Sequence, residues 1–209
     1  MIHVFVDNSN VLGGARRAAR TNEPGVPWFA LRVHFGNFFQ LIERGRPATT
    51  RILGGSIPPG HDALWDAART HGYGTDLLLK IEKDDGRLGE QGVDEVLHLK
   101  IANALLDHDP PQTLVLVTGD GSTSEFQTSF AAQVKRASRR GWHVEVWSWK
   151  EQLSGRFGQM VRDGVQNLVV RHLDTYYDSV TFVAGGMYDD RGRDLHVPGR
   201  AQSPLPVRR

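Results

Sequence analysis

The 209-residue chain contains no cysteine. Disulfides, thiolate zinc sites and thiol nucleophiles are therefore excluded. No apolar run approaches the roughly 18 residues that read as a membrane helix, so no membrane partner is expected. Neither Gly13-Gly14 nor Gly119-Asp120-Gly121 makes a dinucleotide-binding or P-loop signature, and no nucleotide cofactor is expected. Charge of either sign is not in excess, because 25 basic and 24 acidic side chains leave a net +1. A dedicated nucleic-acid binder is usually strongly basic, so any such binding must use local patches. Met1 leads directly into an apolar strand, so no secretory leader is expected. With the lack of cysteine, this makes the cytoplasm the expected location.

What is present is enough for one core: 39% of the residues are hydrophobic, and one domain is the default at this length. Apolar runs at 2–6, 49–57, 75–81, 113–118, 142–149 and 165–172 read as strands. Helical spacing marks 28–44, 61–71, 93–108, the stretch from Phe126 to Gly141, and 150–162. Residues 11–22 read as a loop or helix start, and 83–92 as a polar glycine-rich loop. Strands alternating with helices predict a three-layer α/β/α sandwich with a mostly parallel, Rossmann-like sheet of five or six strands. Residues 1–184 are assigned to that domain. Residues 185–209 hold five arginines, three aspartates and three prolines, and read as a basic, flexible tail.

Two of the strands run into small polar groups and an aspartate. His3-Val4-Phe5-Val6 ends in Asp7-Asn8-Ser9-Asn10, and Leu114-Val115-Leu116-Val117 ends in Thr118-Gly119-Asp120-Gly121. Ligands of open α/β sheets bind outside the carboxyl ends of the strands. If these strands are neighbours, Asp7 and Asp120 lie side by side there. Asp94, in the first turn of the 93–108 helix, can reach the same edge. Carboxylates brought that close repel one another unless a cation sits between them. Oxygen-only ligands suit Mg²⁺ or Mn²⁺. Asn10 and Thr118 could orient waters or carboxylates, and Glu95 and Glu125 are further candidate acids. Simpler roles exist for each: an Asx-turn at Asp7, a helix-dipole partner in Asp94 and Glu95, a turn in Asp120-Gly121.

Among basic groups, Arg16, Arg17 and Arg20 follow the Asp7 loop and are the better candidates for holding a nucleic-acid backbone. Lys135 and Arg136 belong to a second basic run at the end of a helix. The nine histidines show no metal-like spacing. His98 lies four residues beyond Asp94 and could line the same face, although a structural role is the stronger reading.

The order Val4-Phe5-Val6-Asp7-Asn8-Ser9-Asn10, Gly92-Val93-Asp94 and Val115-Leu116-Val117-Thr118-Gly119-Asp120-Gly121 resembles the NYN domain, a branch of the PIN-like ribonucleases. The strand Trp142-His143-Val144-Glu145-Val146-Trp147 also fits, and the resemblance spans roughly residues 1–150. It implies an RNA-cleaving, Mg²⁺- or Mn²⁺-dependent endonuclease, with Asp7, Asp94 and Asp120 as the metal-binding acids and Asn10 as the matching asparagine. It leaves room for a homodimer. Two positions depart from the pattern. Ser122 stands where the family often has a second acid, and Lys100 where it often has another aspartate.

Two other readings stand beside a metal-dependent ribonuclease. One is a catalytically weakened NYN-like module that binds RNA or a protein. The other is a metal-ion-dependent adhesion module like that of von Willebrand A domains. That family wants Asp-x-Ser-x-Ser, and after Asp7-Asn8-Ser9-Asn10 the second serine is missing here. Asp94 discriminates, because it has no part in an adhesion site.

Overall fold

The computed structural model describes residues 1–57, 62–79, 81–82, 88–89, 93–121 and 129–207. Among these, six apolar runs form one parallel sheet: β1 (Ile2–Asp7), β2 (Ala48–Ile57), β3 (Gly74–Leu79), β4 (Thr113–Val117), β5 (His143–Ser148) and β6 (Leu168–His172). Their spatial order is β3-β2-β1-β4-β5-β6. Every adjacent pair is parallel. The chain starts in the middle, winds outward to β3, crosses back and winds outward the other way. Right-handed crossovers then put the first helices on one face and the later ones on the other.

The burial pattern follows. Val4 and Val6 of β1 face one layer, where they meet α1 (Asn8–Asn22), α2 (Phe35–Glu43) and α3 (Asp62–Thr70). Phe5 faces the opposite layer, with α4 (Val93–Asp107), α5 (Phe130–Arg139) and α6 (Gly155–Arg162). β1 is buried at all six positions, as a central strand covered on both faces must be. No described helix is long and apolar enough to cross a membrane.

Three local departures from the sequence reading have physical causes. Residues 11–22 belong to a helix that starts immediately after β1, because Asp7 caps it. The 28–44 periodicity divides into a short strand, Leu31–Val33, and α2, with the His34 ring accepting the Asn37 amide as the helix cap. The strand pairs with Thr181–Val183, a long-range partner that periodicity cannot reveal. Within 185–209, composition did not foresee the hairpin of Gly186–Asp189 with Asp194–Val197. Arg200 adds a two-pronged ion pair to Glu23 at 2.6 and 2.8 Å, and the Ser203 amide donates to the Asp178 carbonyl. These ties are polar contacts to distant segments, invisible in a count of arginines and prolines.

At the amino end of β1, His3 is fully buried. Its Nδ1 pairs with Thr50 Oγ1 at 2.9 Å, and its ring lies 4.6 Å from His108 and 4.8 Å from Trp142. Burial, then the charges of His108 and the N-terminus, outweigh the opposing influence of the Gln112 side chain and lower the His3 pKa to about 4. The folded state thus disfavours the imidazolium. Its stability contribution is complete above the unfolded-state value near 6.5 and is lost as pH falls toward 4, by up to about 3 kcal/mol. Urea unfolding at pH 7 and pH 4.5 should show that loss, and His3→Gln should reduce it. An equal loss in the variant would assign acid sensitivity to other groups.

Candidate functional site at the switch point of the sheet

The strand order reverses between β1 and β4, and the crevice outside their carboxyl ends is where such sheets bind ligands. Both polar strand ends fall there. Val6 pairs with Val117, so Asp7 and Thr118 leave the sheet side by side.

Asp7 is only 2% exposed and is held from three directions. Its Oδ1 accepts the Asn10 backbone N–H at 3.2 Å, which caps α1. Its Oδ2 accepts from the Asn10 side-chain amide at 2.5 Å and from the Thr118 hydroxyl at 3.1 Å. The Thr118 hydroxyl in turn accepts the Asp120 backbone N–H at 3.1 Å. The Asn10 side-chain oxygen accepts the Gly119 N–H at 3.1 Å. Asn10 and Thr118 therefore lace the two strand ends together, in the orienting role the sequence suggested for them.

The Gly119-Asp120-Gly121 turn leans on the segment after β5. The Ser154 N–H donates to the Gly119 carbonyl at 2.9 Å, and an Arg156 guanidinium N–H donates to the Gly121 carbonyl at 2.6 Å. A side chain at Gly119 would strike the Gln152 carbonyl, and one at Gly121 would strike Ser154. Asn10, Arg17, Gly119, Asp120, Gly121, Gln152, Ser154 and Arg156 line an open cleft of about 510 Å³. Gln152, Ser154 and Arg156 escaped the sequence reading. Ser154 before Gly155-Arg156 was the available signal, as a helix cap, and it carried no hint of the cleft.

Asp94 lies in the first turn of α4, half-buried, with Glu95 beside it. The helix sits close because Gly54, the register partner of Asp7, offers no Cβ where Leu97 packs. Asp94 and Leu97 are three residues apart and share a helix face. The first turn of α4 is thereby placed over the same edge. His98 is buried with neither ring nitrogen hydrogen-bonded among the described residues, edge-on to Phe130 at 4.4 Å. Burial lowers its pKa, opposed by the charges of Glu95 and Asp120 and assisted by Arg136. Those four groups are therefore electrostatic neighbours. Arg16, Arg17 and Arg20 are exposed on α1, and Lys135 and Arg136 are exposed on α5. Glu125 and Ser122 lie outside the described residues, as does Gly92.

Among the described residues, no three His, Asp or Glu side chains stand close enough together to hold a metal ion. Asp7 and Asp120 are nevertheless hard oxygen donors at one edge. Mg²⁺ is commonly held by one or two carboxylates, with waters and substrate phosphates completing its shell. The donor chemistry fits such an ion, and the described residues do not build a closed protein cage for one. A larger cavity of about 580 Å³, between α2, Trp147, Arg171 and residues 205–207, contains none of these acids.

No curated protein matches the chain. Among solved structures, the chain is similar to a protein of unknown function, VPA0982, from Vibrio parahaemolyticus RIMD 2210633. The TM-score is 0.54 at 18% identity, with 83% of this chain and 94% of that one covered, a likeness of fold. The NYN domain model matches residues 1–160, which contain β1 to β5, the polar ends of β1 and β4, and most of α6. A parallel sheet with its acids at the switch point is the nuclease-like fold expected of such a domain, and the chain belongs to the NYN domain family.

Proposed function

We propose that the switch-point cleft is the active site of a metal-dependent endoribonuclease that hydrolyses RNA phosphodiester bonds, acting in the cytoplasm. One observation carries the reading. Asp7 and Asp120 end adjacent parallel strands, are joined through Thr118, and adjoin a cleft that two arginines, Arg17 and Arg156, make positive.

Of the three acids, Asp7 and Asp120 would hold Mg²⁺ or Mn²⁺, with Asp94 adding its charge from the first turn of α4; such an ion would supply a water of lowered pKa and polarise the phosphodiester. The other residues position. Asn10 and Thr118 fix the Asp7 carboxylate by hydrogen bonds to its oxygens. Glu95 adds negative charge at the rim of the site. Arg17 and Arg156 draw a phosphate over Asp120, and Arg16, Arg20, Lys135 and Arg136 attract the flanking backbone.

The second reading is a catalytically weakened module that binds RNA or a protein. It is favoured by the near-complete burial of Asp7, both of whose oxygens already accept hydrogen bonds. Ser122 and Lys100 point the same way. The adhesion-module reading has only its sequence likeness behind it.

The deciding experiment incubates a mixture of single-stranded and structured RNA with the protein in Mn²⁺, Mg²⁺ or EDTA. Cleavage that needs the metal is the expected result. Intact RNA, together with metal binding seen by calorimetry, would select the weakened module.

A further inference from the structure

Tryptophan is a large apolar side chain, and four of the five here are buried: Trp65, Trp142, Trp147 and Trp149 are each 2% exposed or less. Trp28 is 61% exposed. It is not loosely placed. The Arg16 guanidinium lies over its ring at 4.7 Å from the centroid. Phe29 packs edge-on beside it at 5.8 Å and is backed in turn by Tyr188 at 5.1 Å. Arg32 is pinned by hydrogen bonds to the Phe29 and Leu31 carbonyls. A planar indole is thus held outward under the Arg16 guanidinium, with Arg32 pinned to the carbonyl of the neighbouring Phe29.

The surroundings are basic. Between residues 8 and 34 the chain carries Arg16, Arg17, Arg20 and Arg32 against one acid, Glu23. Glu23 is already taken by Arg200, through hydrogen bonds of 2.6 and 2.8 Å. Burial, and after it the charge of nearby Arg32, lowers the Arg16 pKa. Two guanidiniums held together repel unless an anion lies between them. The cleft and the patch share α1: Arg17, one residue on from Arg16 and about 100° round the helix, lines the cleft beside Asp120.

We propose that Trp28, flanked by Arg16 and Arg32, is a stacking platform for an unpaired base of single-stranded RNA whose backbone follows α1 out of the cleft. An exposed aromatic ring among backbone-binding cations is the arrangement by which proteins hold single strands. The charge favours a polyanion over a protein partner, and the flat exposed ring favours a strand whose bases are free to stack. The proposal rests on the cleft being an RNA site. It adds what form of RNA enters and where the strand leaves.

The test measures binding in EDTA, which keeps the strand intact, with a fluorescein-labelled 12-nucleotide oligouridine and a duplex RNA of the same length. Acrylamide quenching of tryptophan fluorescence reports chiefly on Trp28, since the other four indoles are buried. The oligouridine should shield Trp28 from acrylamide, and the duplex should not. Trp28→Ala should weaken oligouridine binding by about 5- to 100-fold, the loss of one stacked base, with an unchanged thermal midpoint. Trp28→Phe should retain most of the affinity. The platform is overturned if Trp28→Ala binds within twofold of the wild type, if quenching is unaffected by bound oligouridine, or if the strand does not bind. The two readings fail separately. Binding that depends on Trp28 without cleavage under Mg²⁺ or Mn²⁺ would sink the nuclease alone. Cleavage with Trp28→Ala binding unchanged would sink the platform alone.

Discussion

Asp120→Asn is expected to reduce RNA cleavage by at least about 100-fold, roughly 3 kcal/mol of transition-state stabilisation, with the fold intact. Asp120 lines the cleft. Its backbone N–H, donated to the Thr118 hydroxyl, helps to hold the turn, and an asparagine keeps that bond. The same exchange at Asp7 should differ. Its Oδ2 receives two donors, the Asn10 amide and the Thr118 hydroxyl. An amide nitrogen there would face donors, and reorientation would give up part of the α1 cap. Asp7→Asn should therefore lose cleavage and also about 1–2 kcal/mol of stability. Asp94→Asn completes the series. It should lose cleavage and no more than about 1 kcal/mol of stability, since an acid in the first turn of a helix is worth a few tenths to about 1 kcal/mol there. Cleavage rates and urea midpoints of the three variants separate charge at the reaction from support of the fold. Full activity in Asp94→Asn would remove α4 from the mechanism and leave two acids to do the work. Full activity in Asp120→Asn would move the active site away from the cleft.

Gly119→Ala should be the most damaging small change at the site. The new methyl would lie 2.4 Å from the Gln152 carbonyl oxygen, 2.8 Å from its carbon and 2.9 Å from Ser148 Oγ. Two of those atoms are backbone and cannot rotate away. Overpacking of this kind costs about 1–3 kcal/mol. Here it must also displace the Gly119 N–H from Asn10 and the Gly119 carbonyl from Ser154. We expect a drop of about 3 kcal/mol and loss of cleavage together, read from urea unfolding with an unchanged slope. Gly155→Ala is the matched control. Nothing lies within 4 Å of its Cβ position, and it opens α6. Its stability should stay within about 0.5 kcal/mol of the wild type. An equal loss in both variants would show that the clash is not the cause.

The contrast between these glycines shows where information resides in this chain. The alternation of apolar runs with helical periods was enough for an α/β sandwich, because strands buried on both faces must be continuously apolar, as Val4-Phe5-Val6 and Leu114-Val115-Leu116 are. The polar ends of those runs placed Asp7 and Asp120 at strand termini, since a charge cannot continue a buried strand without a partner. The sequence therefore determined the sheet, its edge for ligands and the acids at that edge. Tertiary structure alone decided the rest. Which strands are neighbours is a matter of long-range pairing, and only the β3-β2-β1-β4-β5-β6 order puts Asp7 beside Thr118. Arg156 reaches the cleft from 35 residues beyond Gly121, and Arg200 reaches Glu23 across 177. The exposure of Trp28 is equally nonlocal, because an indole in a sequence reads as core until the packed neighbours leave it outside. Local chemistry is written residue by residue, whereas contacts between distant segments depend on the packing of the whole chain.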